Sequence, residues 1–125
     1  MSTFGLVVGA RSSEGRDEFV RYAKAAIEVP GPAITRVEQI AKENDVFLVV
    51  GVIERDNGTL YCTAVFVDPK EGYLAKHRKL VPTAMERTIW GQGDATTLPV
   101  LTKTFESSSG QGPPVEAKVS ATICW

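Results

Sequence analysis

The sequence predicts an α/β domain, because two amphipathic helical segments are followed by a meander of β-strands. Residues 14–27 carry apolar side chains at helical spacing, and a second segment with the same spacing begins at Pro32. Residues 46–53 form a nearly unbroken apolar run rich in β-branched side chains, which is typical of a strand. With 125 residues, the chain has the length of one domain.

The ends of both helices carry recognisable signals. Ser13 is placed to cap the first helix, whose apolar stripe ends at Ile27. The segment Val-Pro-Gly-Pro at residues 29–32 then breaks the helix. Pro32 suits the first turn of the second helix, since a residue there needs no backbone N–H, and we expect that helix to reach Asn44.

The strands are separated by turn signals. No charged residue interrupts residues 46–53, so we expect this strand to be buried on both faces. Asn57-Gly58 is a strong hairpin signal. The return strand, the third strand and two later strands are predicted at residues 59–67, 73–78, 100–105 and 115–125.

Composition excludes several classes of protein. Lys plus Arg total 14 and Asp plus Glu total 15, and no basic run is present, so we expect no nucleic-acid partner. No apolar stretch approaches the roughly 20 residues of a membrane span, so no membrane partner is expected. Two cysteines are too few for a disulfide scaffold, although one bond between them stays open. The first residues lack a basic signal-peptide segment, and we expect a cytoplasmic protein with reduced thiols.

Cys124 is a candidate nucleophile, because it lies at the end of a predicted strand. A thiol at a strand end can be exposed by a tight turn whose N–H groups stabilise an oxyanion. Burial in the core is the alternative, since free cysteines are often buried. Cys62 lies in the middle of a predicted strand, and we expect it to belong to the core.

A basic cluster ends the third strand, and the sequence leaves two placements open for Lys79. It either stays in solvent or turns inward, where its ammonium would favour a thiolate and stabilise an anionic intermediate. Glu86 either pairs with Lys79 or forms a surface pair with Arg87. His77 is the one histidine and fits a structural hydrogen bond better than a base. We expect no metal, since the acidic residues show no ligand spacing, and no cofactor, since no phosphate-binding motif occurs.

Six segments, in the order of the family, resemble the nitrilase branch of the carbon–nitrogen hydrolase superfamily. They are IEVPGP (27–32), VVGVIER (49–55), TLYCT (59–63), HRKLVPTAMER (77–87), WGQGD (90–94) and ICW (123–125). The Pro-Thr-x-x-Glu-Arg and Trp-Gly-Gln-Gly-Asp motifs resemble nitrilases more than amidases. The serine-rich stretch before Cys124 is similar to fungal members, which include cyanide hydratases.

The resemblance implies an α-β-β-α sandwich, with residues 1–125 as a partial domain that lacks the N-terminal base segment and the C-terminal half. It also implies a catalytic set in which Cys124 attacks a small-molecule nitrile to give a thioimidate, Lys79 stabilises the anion and Glu86 accompanies the lysine. The products would be a carboxylic acid and ammonia, or an amide by the hydratase route. Full-length members are expected to be homo-oligomers.

One member of the family's set has no match in these residues. The general base of the family lies in a Phe-Pro-Glu segment, which the chain does not contain, and Glu14, Glu18 and Glu28 are the nearest acids by order. Loss of a general base typically lowers rates by about 10²–10⁴-fold, so we expect little or no activity from the chain alone. Two other hypotheses stay open: a non-catalytic fragment that pairs with a full-length homologue, and a small binding module built on the meander.

Overall fold

The computed structural model describes residues 10–106, 112–121 and 123, and it has two helices followed by strands. The elements are α1 Ser13–Ala25, α2 Pro32–Asn44, β1 Leu48–Asp56, β2 Thr59–Asp68, β3 Gly72–Arg78, β4 Leu101–Phe105 and β5 Val115–Val119, with 3-10 helices at Ala84–Thr88 and Ala95–Thr97. The α/β class predicted from sequence is confirmed. None of the helices described is both long and apolar enough to cross a membrane.

Helix α1 begins one residue from its predicted cap. Its N-cap is Ser12 rather than Ser13, and the Ser12 side-chain oxygen accepts a 3.1 Å hydrogen bond from the Gly15 N–H. Helix α2 has its predicted bounds, with Pro32 in its first turn. Its C-cap, Asp45, takes a left-handed conformation at φ 50°, which lets the last turn close.

The first helix ends before Ile27, contrary to the periodicity of the sequence. Ile27 is extended beside β1, where its N–H donates to the Ile53 carbonyl (2.9 Å) and its carbonyl accepts from the Arg55 N–H (2.7 Å). These long-range hydrogen bonds outweigh the helical pattern, because they satisfy backbone groups that would otherwise need water.

Strands β1, β2 and β3 form an antiparallel sheet in sequence order, and β4 pairs with β5 in a second, two-stranded sheet. The β1–β2 hairpin turns at Asn57 (φ 47°) and Gly58 (φ 84°), so both turn residues take the positive φ that a type I′ turn requires. This prediction from the Asn-Gly pair is confirmed. Since β1 and β3 are both antiparallel to β2, they run in the same direction and end at the same end of the sheet.

Each face of the three-stranded sheet carries its own core cluster. On one face, Ile34 of α2 packs with Val29 and Val65. On the other face, Leu60 packs with Ala26, Ile89 and Trp90. Glu54 and Lys79, described next, lie close to the carboxyl ends of β1 and β3.

Strand β1 is not buried on both faces, so that expectation is wrong for the described residues. Its side chains alternate in exposure, and Val49 remains 46% exposed. Helix α2 covers the face that contains Val50 and Val52. Val49 lies on the opposite face, and the cluster of Leu60 and Trp90 on that face does not include it. An apolar run therefore did not distinguish a fully covered strand from one that is covered on a single face.

Candidate active site

Lys79 turns inward at the end of β3. Its backbone N–H donates to the Cys62 carbonyl (2.8 Å), which continues the β2–β3 pairing by one residue and sets Lys79 opposite Cys62. The residue is only 6% exposed. Of the two placements that the sequence left open, the structure has the buried one, and a buried ammonium requires a partner.

That partner is Glu86, whose Oε2 lies 2.6 Å from Lys79 Nζ. Thr83 donates two further bonds to the same oxygen, from its N–H (2.7 Å) and its hydroxyl (2.8 Å). Burial by itself raises the pKa of Glu86, but the hydrogen bonds from Lys79 and Thr83 and the charge of Lys79 bring it below its ordinary value. Glu86 is therefore a fixed carboxylate, paired with Lys79 rather than with Arg87.

Thr83 was not among the site residues predicted from the sequence, although its signal was present. Thr83-x-x-Glu86 is a capping box, and the structure shows both reciprocal bonds at the start of the Ala84–Thr88 helix. The other match to this pattern, at Thr35 and Glu38, lies inside α2, where Glu38 instead accepts a bond from the Tyr73 N–H (2.8 Å).

The Trp-Gly-Gln-Gly segment braces the lysine. Trp90 is buried, and its ring centroid lies 5.9 Å from Lys79 Nζ. Gly91 donates to the Leu60 carbonyl (2.8 Å), and Gly93 donates to the Lys79 carbonyl (2.9 Å). A Cβ at Gly93 would lie 2.5 Å from a backbone oxygen, so only glycine fits this close approach.

The rest of the basic cluster forms a buried ion network with Glu54. This carboxylate is 1% exposed and accepts bonds from Lys76 Nζ (2.5 Å), Arg78 Nε (2.9 Å), Arg78 Nη2 (2.6 Å) and the Thr63 hydroxyl (2.8 Å). Arg78 also binds Asp56 (2.7 Å). Glu54 lies just beyond the strand predicted at residues 46–53, but β1 continues to Asp56 and Glu54 is buried beside these cations.

Cys62 has polar neighbours that the sequence did not indicate. Burial raises the pKa of its thiol, the charge of Lys79 lowers it and the charge of Glu86 raises it, with a net increase. The thiol is half-buried, in contact with the cluster of Leu60 and Trp90. The pKa of the Cys62 thiol therefore responds to the charges of Lys79 and Glu86.

The other candidates are placed as follows. Cys124 lies outside the described residues. His77 is fully buried, and its Nδ1 is 2.7 Å from the Thr97 carbonyl, in keeping with a structural hydrogen bond. Glu18 pairs with Arg21 on the surface of α1. Within the described ranges, no group of His, Cys, Asp and Glu is arranged to hold a metal ion.

The chain is similar to known carbon–nitrogen hydrolases over nearly its whole length. The sequence model of the carbon–nitrogen hydrolases matches residues 3–125. An arylacetonitrilase from Trametes versicolor is 77% identical over 125 residues, which is 100% of this chain and 39% of that protein. A bifunctional nitrilase/nitrile hydratase from Lupinus angustifolius is 48% identical over 124 residues, which is 99% of this chain and 32% of that protein.

A solved structure shares the fold. The crystal structure of an N-terminal amidase with a Gln-Gly peptide matches with a TM-score of 0.62 at 19% identity, over 78% of this chain and 24% of that one. The chain thus spans well under half the length of the relatives that it matches. From its motifs, its fold and the match over residues 3–125, this chain belongs to the carbon–nitrogen hydrolase family.

Proposed function

We propose that these residues supply the nucleophile and the lysine–glutamate pair of a nitrile-hydrolysing enzyme. The observation that carries the proposal is the 2.6 Å contact between Lys79 Nζ and Glu86 Oε2, because the nitrilase motif gives these two residues to one site. The 77% identity to an arylacetonitrilase supports arylacetonitriles as the substrate class.

In the proposed reaction, the Cys124 thiolate attacks the nitrile carbon. A C–S bond forms, one π bond of the nitrile breaks, and the nitrogen takes the electron pair and then a proton to give a thioimidate. Water adds to the thioimidate carbon, the C–N bond breaks, and ammonia departs. A thioester then remains on the cysteine. A second water hydrolyses the thioester, which yields the carboxylic acid and restores the thiol.

We propose that Lys79 stabilises the negative charge that develops on the nitrile nitrogen when the thiolate attacks. It also stabilises the negative charge that develops after water adds to the thioimidate. A fixed ammonium in a partly desolvated site stabilises such charge without reorganisation. Glu86 holds that ammonium in place, and the Trp90 ring centroid lies 5.9 Å from it. The brace at Gly93 keeps the backbone of Lys79 at the end of β3.

The name of one relative points to a second product, the amide. The Lupinus angustifolius protein is named a bifunctional nitrilase/nitrile hydratase. If the C–S bond breaks instead of the C–N bond after water adds, the products are an amide and the free thiol. The cyanide hydratase-like alternative follows this same route, so both products need to be measured.

We further propose that these 125 residues alone turn over nitriles slowly or not at all. Glu14, at the start of α1, and Glu28, 3.8 Å from Arg55, are both exposed, and neither lies in the Phe-Pro-Glu context of the family's general base. A stalled adduct is the expected result. A cytoplasmic location and homo-oligomers of full-length members stay predictions.

Mass spectrometry of the chain after incubation with phenylacetonitrile tests the proposal. We expect the peptide that contains Cys124 to gain the mass of one nitrile, with little ammonia or amide released. Cys124→Ala should abolish the adduct, and Cys62→Ala should leave it unchanged. A folded chain with no adduct on Cys124 would contradict the proposal and favour a non-catalytic fragment, which a shift in size-exclusion volume with a full-length homologue would then support.

A further inference from the structure

The carboxylate of Glu86 is fixed from within its own loop. All the hydrogen bonds that the structure gives this carboxylate end on Oε2, two of them from Thr83 and one from Lys79. In return, the Thr83 side chain accepts a bond from the Glu86 backbone N–H. Thr83 and Glu86 therefore clasp each other in both directions, and Lys79 is attached to that clasp.

The clasp exceeds what the capping of a helix requires. A capping box needs the carboxylate to bind only the backbone N–H of the cap residue. Here the Thr83 hydroxyl also donates to the carboxylate, at 2.8 Å, on the same oxygen that holds Lys79. The 3-10 helix that follows has only five residues, and capping such a short element does not require this second hydrogen bond.

The backbone between the two residues is also unusual. Ala84 has φ 45°, in the left-handed region that residues with a Cβ seldom occupy. Such conformations persist where the surrounding contacts determine them, and they cluster at functional sites. Ala84 is itself exposed and lies between the two residues of the Thr83–Glu86 clasp.

We propose that Thr83 is a positioning residue, whose hydroxyl fixes the Glu86 carboxylate so that it holds Lys79 in the orientation that the nitrile reaction needs. This inference rests on the proposed function for its role in the reaction. The clasp itself can be tested without activity.

The first test follows the Glu86 carboxyl group by ¹³C NMR titration of the full chain. Thr83→Val keeps the shape but removes the hydroxyl, so the pKa of Glu86 should rise relative to the parent. Thr83→Ser keeps the hydroxyl and should retain the parent pKa. Thr88→Val is the matched control, because the Thr88 hydroxyl lies in the same short helix but donates to the Met85 carbonyl (2.7 Å).

The second test measures the rate at which the Cys124 adduct forms with phenylacetonitrile, against pH. Thr83→Val should slow the reaction by roughly 10-fold, as expected for one lost bond to a charged group. The acid limb of its pH profile should move to higher pH, because Glu86 then protonates more easily. Thr83→Ser should restore both the rate and the profile, and Thr88→Val should match the parent.

The outcomes separate the two proposals. If Thr83→Val leaves both the pKa of Glu86 and the adduct rate unchanged, the role of Thr83 is overturned. Equal loss in Thr83→Val and Thr83→Ser would overturn it as well, since bulk and not the hydroxyl would then matter. If no variant forms an adduct but Thr83→Val still raises the pKa of Glu86, the proposed function fails while the clasp on Glu86 is supported.

Discussion

Replacing Glu54 by glutamine is expected to destabilise the chain strongly. Glu54 is a buried carboxylate between two cations, with side-chain exposures of 1% for Glu54, 22% for Lys76 and 17% for Arg78. Glutamine has nearly the same shape but no charge, and its amide NH₂ would face the cations. The substitution therefore leaves two half-buried positive charges with no anion between them.

The magnitude follows from these contacts. Removing one partner of a buried ion pair costs about 3–5 kcal/mol, because the other charge is left uncompensated. Arg78 retains Asp56 at 2.7 Å, and Lys76 retains the Val29 carbonyl at 3.1 Å, so we expect the lower end of this range, about 3 kcal/mol. That is a large share of the roughly 5–15 kcal/mol by which domains are stable.

Urea denaturation followed by circular dichroism measures the loss as a change in the free energy of unfolding. Glu28→Gln is the matched control, since Glu28 is exposed and lies 3.8 Å from Arg55, and we expect a change below about 0.5 kcal/mol. If Glu54→Gln lowers the free energy of unfolding by less than about 1 kcal/mol, the network is not buried as described.

The same variant changes the dependence of stability on pH. Burial raises the pKa of Glu54, but hydrogen bonds from Arg78, Lys76 and Thr63 and the charge of Lys76 bring it below its ordinary value of 4.5. The contribution of Glu54 is therefore present above 4.5 and is lost as pH falls through its lower, folded pKa. Glu54→Gln should lack that part of the acid-induced loss, and an unchanged acid limb would refute the reasoning.

Two further predictions concern the surroundings of Lys79. Gly93→Ala should lower the free energy of unfolding by about 1–3 kcal/mol, because its Cβ would lie 2.5 Å from a backbone oxygen. Gly51→Ala is the control and should not lower it, because a Cβ at Gly51 would have nothing within 4 Å. Equal urea midpoints for the two variants would contradict the close approach at Gly93. In a Cys124→Ala background, Lys79→Met should slow the alkylation of Cys62 by iodoacetamide at neutral pH, because the charge of Lys79 lowers the pKa of that thiol. Mass spectrometry follows the reaction, and an unchanged rate in the variant would contradict an effect of the Lys79 charge on Cys62.

Local chemistry made much of the fold predictable. Pro32 and the Asn57-Gly58 pair act through their own backbone conformations, so the start of α2 and the first hairpin could be located from short stretches of sequence. The inward turn of Lys79 was left open because a basic cluster at a strand end has two placements. Only the register between β2 and β3 sets Lys79 opposite Cys62.

The remaining features depend on contacts between distant residues. The exposure of Val49 depends on which layers cover the sheet, and an apolar run does not encode that. Glu54 lies just beyond the strand predicted at residues 46–53, and its burial depends on Lys76 and Arg78, which come from another strand. Ile27 is extended and not helical, because its backbone forms two hydrogen bonds with β1.

The central claim is that Lys79, Glu86 and Cys124 act together on a nitrile. The most direct test is ammonia release from phenylacetonitrile by a chimaera in which these 125 residues replace the matching 39% of the Trametes versicolor arylacetonitrilase. We predict that the chimaera is active, that Cys124→Ala abolishes its activity and that Lys79→Met lowers kcat by about 10²–10³-fold. A folded Lys79→Met chimaera that releases ammonia at the rate of its parent would contradict the claim.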